Sequence, residues 1–298
     1  MATVAAGWAN FREHGRLWPA LYAVKLILSL LFTAPVWLVF GYGLEHSRAG
    51  TLIEQSWSLD VIVEMIAARD GAAVAFLVTL GSFVVAGFLI RQFLNGGLYA
   101  VYLKGADDRR EGFWRDSGAG FFSHLAISGV MLPVYLVLVF VGHAVSAVVP
   151  GRLFGYFGSE YLASSGLRLV IVGAFVLLGV VFSEALRYRR AACPGEPFGA
   201  LVSGAVDFVR SRGVRMYGYY LLFFVPFVIV WLAMEAGSLG VTGGLPGLGG
   251  VLLEAVLFQI SAFVRTGQSL LFTATIGRLF RVTYPDLFAS AQMELSLD

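Results

Sequence analysis

The stretch 72-AAVAFLVTLGSFVVAGFLIRQFLNGGLYAVYLK-104 decides the class of this chain. Up to Ile90 it is an uncharged apolar run of about 20 residues, the length of helix that crosses a hydrocarbon core of about 30 Å. Similar runs recur along the whole sequence, which is 58% hydrophobic and only 13% charged, with a mean hydropathy of +0.79. A soluble domain carries about 25% charged residues. Six Trp, 25 Phe and 36 Gly point the same way, because Gly and interfacial aromatics are enriched in membrane spans. A β-barrel would need alternating segments of about ten residues, and none is seen. The expected fold class is all-α, a polytopic transmembrane helical bundle.

Six spans are expected, at about 17–43, 72–103, 122–149, 166–188, 214–236 and 250–280. Arg12 and Arg16 precede the first. Lys104, Arg109, Arg110 and Arg115 lie between the second and third, and Arg187, Arg189, Arg190, Arg210, Arg212 and Arg215 between the fourth and fifth. Arg278 and Arg281 close the sixth. The opposite connections carry only Arg48, Arg69, Arg152 and Arg168. The positive-inside rule therefore places both termini in the cytoplasm. The first 19 residues, MATVAAGWANFREHGRLWP, lack the short apolar core and small-residue exit of a cleaved signal peptide, so the first span is expected to remain. Cys193 stands alone, which excludes an internal disulfide and paired-cysteine metal motifs.

The segments 8-WANFREHGRLW-18, 113-FWRDSGAGFFSHL-125 and 198-FGALVSGAVDFVRSRG-213 each mix aromatics, Gly and charge. Each leads into a span with a proline, Pro35, Pro133 or Pro226. We read residues 1–298 as a single transmembrane domain of three successive units, about 8–104, 113–190 and 198–281, each an interfacial elbow helix followed by an out-and-back pair of spans. The prolines are expected to be packing features that kink the odd spans. Two outward pieces differ. Residues 51–70 place Ile53, Trp57, Val61 and Met65 at helical spacing and suit the outer interface. The Gly-rich 237-GSLGVTGGLPGLGG-250 lacks the lysine of a phosphate loop and reads as a flexible connection.

Against this apolar background the polar residues inside the spans stand out. Arg91 lies roughly 28 Å along its span from Ala72, and Arg91, Asn95, Tyr99 and Tyr102 fall on one helical stripe. The sixth span carries Glu254, Ser261, Arg265, Gln268 and Thr273, while Glu184 and Arg187 sit one turn apart in the fourth. A charge near mid-membrane costs about 2.5 kcal/mol or more, so such residues face partners or water. The candidate ligand-binding residues are therefore Arg91, Asn95, Glu184, Arg187, Arg265 and Gln268. In a threefold arrangement Arg91, Glu184 and Arg265 would line a basic cavity open to the cytoplasm, suited to lipid headgroups or organic anions. The plainer reading is an ion-pair network that fixes helix packing. Lys25, near the start of the first span, is expected to snorkel.

No catalytic motif occurs, the spans contain no Asp, and the charges of 107-DDRRE-111 read as a solvated loop. An enzyme is not expected, nor are a metal, a cofactor or a nucleic-acid partner. His14 with His124, and His46 with His143, would allow haem or pigment binding as a remoter alternative.

The elbow-plus-hairpin pattern and the phrase 97-GLYAVYLKGADDRREGFWRDSGAGFF-122 resemble bacterial six-span proteins of the type found as the membrane domain of some glycerophosphoryl diester phosphodiesterases. The catalytic domain of those enzymes has no counterpart here. What the resemblance implies is an accessory helical membrane module, with a bacterial inner membrane as its expected location. The sequence thus predicts a non-catalytic subunit or scaffold whose partners are membrane lipids and other membrane proteins or its own copies. A carrier or channel for an anionic or amphipathic solute is the alternative.

Overall fold

The computed structural model describes residues 2–44, 72–104, 110–153, 159–242 and 248–288, with side chains in the first segment described through Leu31. The described residues are helical almost throughout. Helix α1 spans Ala2–Glu13, α2 Leu17–Leu44, and α3 Ala72–Tyr99, which ends in a π-helical turn, Ala100–Lys104. Helix α4 spans Arg110–Leu153, α5 Ser159–Ala192, α6 Phe198–Thr242 and α7 Leu248–Thr283. Five stretches among them are long and apolar enough to cross a membrane: Leu77–Leu103, Gly112–Val148, Ser164–Ala192, Phe198–Leu232 and Ala255–Thr283. Helix α2, 28 residues long, is also long enough at 1.5 Å per residue, and the part of it whose side chains are described, Leu17–Leu31, is apolar. The chain is an all-α polytopic helical membrane protein.

The elbows depart from expectation in two of the three proposed units. Only α1 is separated from its span, by a turn at residues 14–16 closed by Leu17 N–H donating to the His14 carbonyl at 3.0 Å. In α4 and α6 the amphipathic start continues into the apolar part as one helix of 44 or 45 residues. Pro133 and Pro226 fall inside these helices without ending them, as apolar surroundings that penalise every unpaired backbone group require. The expected flexible connection at 237–250 is largely helical too. Helix α6 runs to Thr242 and α7 begins at Leu248, because unpaired amides are costlier in an apolar medium than the low helix propensity of Gly. Arg110 and Glu111 likewise open α4 instead of lying in a loop. Residues 51–70 and His46 lie outside the described residues.

The chain divides into two compact units that interleave along the sequence. The first comprises residues 1–13, 92–225 and 271–298. Its core is aromatic: Tyr99, Tyr188, Phe208 and Phe280 are buried with Leu103, Ile127, Met131, Leu186 and Met216. Phe208 meets Phe280 edge-on at 4.9 Å and Tyr99 meets Tyr188 likewise at 4.7 Å, the arrangement that aromatic quadrupoles favour. Helices α3 and α4 cross closely at Gly96, Gly97 and Gly120. A β-carbon on Gly96 would lie 2.8 Å from the Ser117 carbonyl oxygen, and one on Gly120 would lie 2.8 Å from the Gly96 Cα. Small residues at such crossings let backbones approach. Gly179 does the same against Tyr135 and Leu138, whereas Gly87 and Gly173 face open space.

The short connection between α5 and α6 is clamped by Arg189, whose Nε and Nη2 donate to the two Glu196 carboxylate oxygens at 2.8 and 2.6 Å. Arg190 donates to the Glu196 carbonyl at 2.9 Å. The second unit comprises residues 14–91 and 226–270. There α2 packs on α7: Trp18 stacks on Phe263 at 4.5 Å and donates to its carbonyl at 2.8 Å, Tyr22 donates to Gln259 at 2.8 Å, and Gly267 leaves room for the Trp18 ring.

Two expectations follow. Gly96→Ala forces a methyl onto backbone atoms and should destabilise by about 1–3 kcal/mol, whereas Gly87→Ala should be neutral or stabilise by up to about 1 kcal/mol. Thermal unfolding in mild detergent compares them. The hydrogen bonds from Arg189 hold the Glu196 carboxyl below the usual glutamate range, against an opposing effect of burial. Its stabilisation is thus complete above the unfolded carboxyl value of about 4.3 and fades as pH falls through the depressed folded value. Wild type should lose more melting temperature between about pH 5 and 3 than Glu196→Gln does, and equal losses would refute the clamp.

Candidate functional site

Starting from Arg91, each step along a helix turns the side chain by about 100°, and the next residue faces the opposite way in packing terms. Arg91 is exposed and Gln92 is 2% exposed. From Gln92 the buried positions of α3 continue through Gly96, Tyr99 and Leu103, one stripe at helical spacing. This stripe, not the one through Arg91, carries the polar groups that meet α4 and α5.

Those groups form a continuous buried chain. Ser128 Oγ donates to Gln92 Oε1 at 2.9 Å, and Arg187 Nη2 donates to Ser128 Oγ at 2.9 Å. Arg187 Nη1 pairs with Glu184 Oε1 at 3.2 Å, and the Tyr99 hydroxyl donates to the other carboxylate oxygen, Oε2. His124, on α4, stacks on Tyr99 at 5.2 Å, with their planes 19° apart. Tyr188 donates to the Thr273 carbonyl at 2.7 Å, which brings α7 into the same packing. Arg187 is 8% exposed and Tyr99 3%. Helices α3, α4 and α5 are thus joined through five side chains, and one ion pair sits at the centre.

Each oxygen of this carboxylate already accepts one hydrogen bond. One oxygen takes a phenol and the other a guanidinium, so neither lone-pair set is poised to abstract a proton from a guest. The Glu184–Arg187 pair of the sequence reading is therefore realised as an internally neutral unit. Several nitrogens around it, Asn95 Nδ2, His124 Nδ1 and Arg187 Nε, are buried without a hydrogen-bond partner among the described residues.

The remaining candidates fall in the second unit. Arg91 and Arg265 are both exposed, and Gln268 is half-buried. Lys25 is exposed as well, donates to Thr266 Oγ1 at 3.1 Å, and lies within electrostatic range of both Arg91 and Arg265. Three cations therefore share one neighbourhood of that unit. Asn95, Glu184 and Arg187 belong to the first unit. Of the histidines, His143 is exposed and His124 is buried against the Tyr99 ring.

Gln92 and Ser128 are absent from the candidate residues of the sequence, and His124 enters there only in the haem alternative. The available signal was the spacing of Gln92 and Tyr99, two turns apart on one face, but neighbouring Arg91 drew the stripe one residue out of phase. Ser128 has no such signal, since an isolated hydroxyl in an apolar helix usually bonds its own backbone.

No family model matches the chain, and neither a curated protein nor a solved structure is similar to it.

Removing one member of the buried pair strands the other. Glu184→Gln should cost about 3–5 kcal/mol in unfolding free energy, and the double variant Glu184→Gln with Arg187→Met should be milder than Glu184→Gln alone. Detergent unfolding curves for the set decide the point. A Glu184→Gln protein within about 0.5 kcal/mol of wild type would show that the pair does not hold the helices.

Proposed function

We propose that this chain is a non-catalytic integral membrane protein, an accessory or scaffold subunit that binds partner membrane proteins and lipid in a bacterial inner membrane, with both termini cytoplasmic. One observation carries the reading. Residues 80–85 of α3 are all exposed, more than one full turn, and a β-carbon on either Gly81 or Gly87 would meet nothing within 4 Å. A bilayer gives apolar helices no hydrophobic reason to associate, so contact between them depends on close backbone approach at small residues. Gly81, Ser82 and Gly87 offer such an approach to a helix of another chain or of a second copy. The Glu184–Arg187 pair adds weight, because its partners tie α3, α4 and α5 together from within the fold.

Native mass measurement after extraction from the producing membrane in mild detergent should find one complex of fixed stoichiometry. Gly81→Leu with Gly87→Leu should dissociate it without lowering the melting temperature, since both sites are open. A wild-type chain that is monomeric in every mild detergent would overturn the proposal.

The shared neighbourhood of Lys25, Arg91 and Arg265 favours a second reading, carriage of an anionic or amphipathic solute. Replacing Arg91 and Arg265 by Gln should then reduce uptake of organic anions into proteoliposomes by about tenfold or more, and undiminished uptake would remove it.

A further inference from the structure

The end of α3 is finished by side chains from opposite ends of the chain. Asn10 Nδ2 donates to the Tyr102 carbonyl at 3.3 Å, and Arg281 Nε donates to the Leu103 carbonyl. Both satisfy carbonyls that a helix terminus leaves without an intrahelical partner. Beside these caps lies a cleft of about 300 Å³, the lower end of the range for small-molecule sites. Asn10, Glu13, Tyr102, Arg278 and Arg281 supply its polar lining, and Ala6 and Ala9 leave it open. Every one of these residues belongs to the first unit.

The walls are held in place. A β-carbon on Gly7 of α1 would lie 2.4 Å from Thr275 Oγ1, and one on Gly277 would lie 3.0 Å from the Tyr102 carbonyl oxygen, so α1 and the end of α7 are in close contact with their neighbours. Arg281 is fixed at Nε and lies over the Phe288 ring at 5.8 Å. Its terminal nitrogens, like the whole Arg278 guanidinium, have no hydrogen-bond or ion-pair partner among the described residues. The two guanidiniums stand within electrostatic range of each other. Glu13, the one carboxylate in the lining, likewise pairs with no described residue. The cleft thus presents two guanidiniums and one carboxylate, none of them in an ion pair among the described residues, on a frame held by close helix contacts.

Its place in the fold selects the guest. Trp8 on α1 is 51% exposed, and exposed Trp belongs at the headgroup level of a bilayer. Arg278 and Arg281 close the last apolar stretch, Ala255–Thr283, where basic residues meet lipid phosphates. We propose that this cleft binds the phosphoethanolamine headgroup of a glycerolipid, its phosphodiester oxygens on Arg278 and Arg281 and its ammonium on Glu13. Guanidinium fits phosphate oxygens through charge-assisted, often bidentate bonds. A headgroup with no ammonium leaves Glu13 unmatched, and a quaternary ammonium gives that carboxylate no N–H to accept. The volume suits a headgroup and leaves the acyl chains in the bilayer. This site is independent of the subunit reading, because a monomeric chain can hold the lipid as well as a complex can.

The test uses the full chain, delipidated in mild detergent and offered phosphatidylethanolamine, phosphatidylglycerol or phosphatidylcholine, with retained lipid counted by native mass spectrometry. Wild type should retain phosphatidylethanolamine in preference to the other two. Arg278→Gln should lower that retention by about tenfold, as expected for one charge-assisted bond. Glu13→Gln should lower phosphatidylethanolamine retention while leaving phosphatidylglycerol unchanged or raised. Arg278 and Glu13 are both exposed, so these variants keep the fold, and melting temperatures verify that. Equal retention of the three lipids by wild type, or an Arg278→Gln protein that holds lipid as wild type does, overturns the proposal. Retention unaffected by Glu13→Gln overturns the ammonium assignment. Saturable binding of inorganic phosphate with no lipid retained would assign the cleft to free phosphate, and the headgroup assignment would fall.

Discussion

A carboxylate and a guanidinium in an apolar helical protein impose one condition on everything near them: each polar atom needs a partner from within the fold. Glu184 and Arg187 meet most of that condition through Tyr99, Ser128 and Gln92, while Arg187 Nε is left without a partner among the described residues. The consequences spread outward. Tyr99 must enter the core from α3, which fixes the rotation of that helix, and its Gly96 and Gly97 must then lie against α4. Ser128 must face Arg187, which fixes α4 against α5. Apolar contacts alone would leave these helices many nearly equivalent packings in a membrane, where burial away from lipid has little value. The ion pair removes that degeneracy.

Membrane class and helix content were legible because hydropathy depends only on local composition. Runs such as 72–90 announce their length and apolarity directly. The same holds for Glu184 and Arg187, whose spacing by one turn is itself a pairing signal. Helix continuity was less legible. The aromatic-Gly-charge segments at 113–125 and 198–213 look like separate elbows, yet they continue into α4 and α6, because backbone hydrogen bonding in apolar surroundings overrides the local preference of glycine. The partners of the charges were hardest to read. Gln92 and Arg91 are adjacent, and only packing against α4 and α5 decides which one turns inward. The cleft at Arg278 and Arg281 was illegible for a related reason. Its walls come from α1, the end of α3 and α7, whose contacts no local spacing encodes.

The distribution of charge now has a physical sense. Buried charges in the first unit are neutralised one against another, whereas Lys25, Arg91 and Arg265 remain exposed in the second. A cation tolerates exposure in a span when its flexible stem lets the head reach water or phosphate. Glutamate has no such reach, so Glu184 is the residue that demands internal compensation, and the phenol of Tyr99 supplies part of it.

The caps at the end of α3 carry a consequence for biosynthesis. Leu103 lies only about a third of the way along the chain, yet the guanidinium that satisfies its carbonyl arrives only when residue 281 has been made. During vectorial insertion this carbonyl must therefore wait for its guanidinium through the emergence of four further helices. Ribosome-bound intermediates halted before α7 should be loose at this point, and the clasp closes only once the end of α7 has emerged.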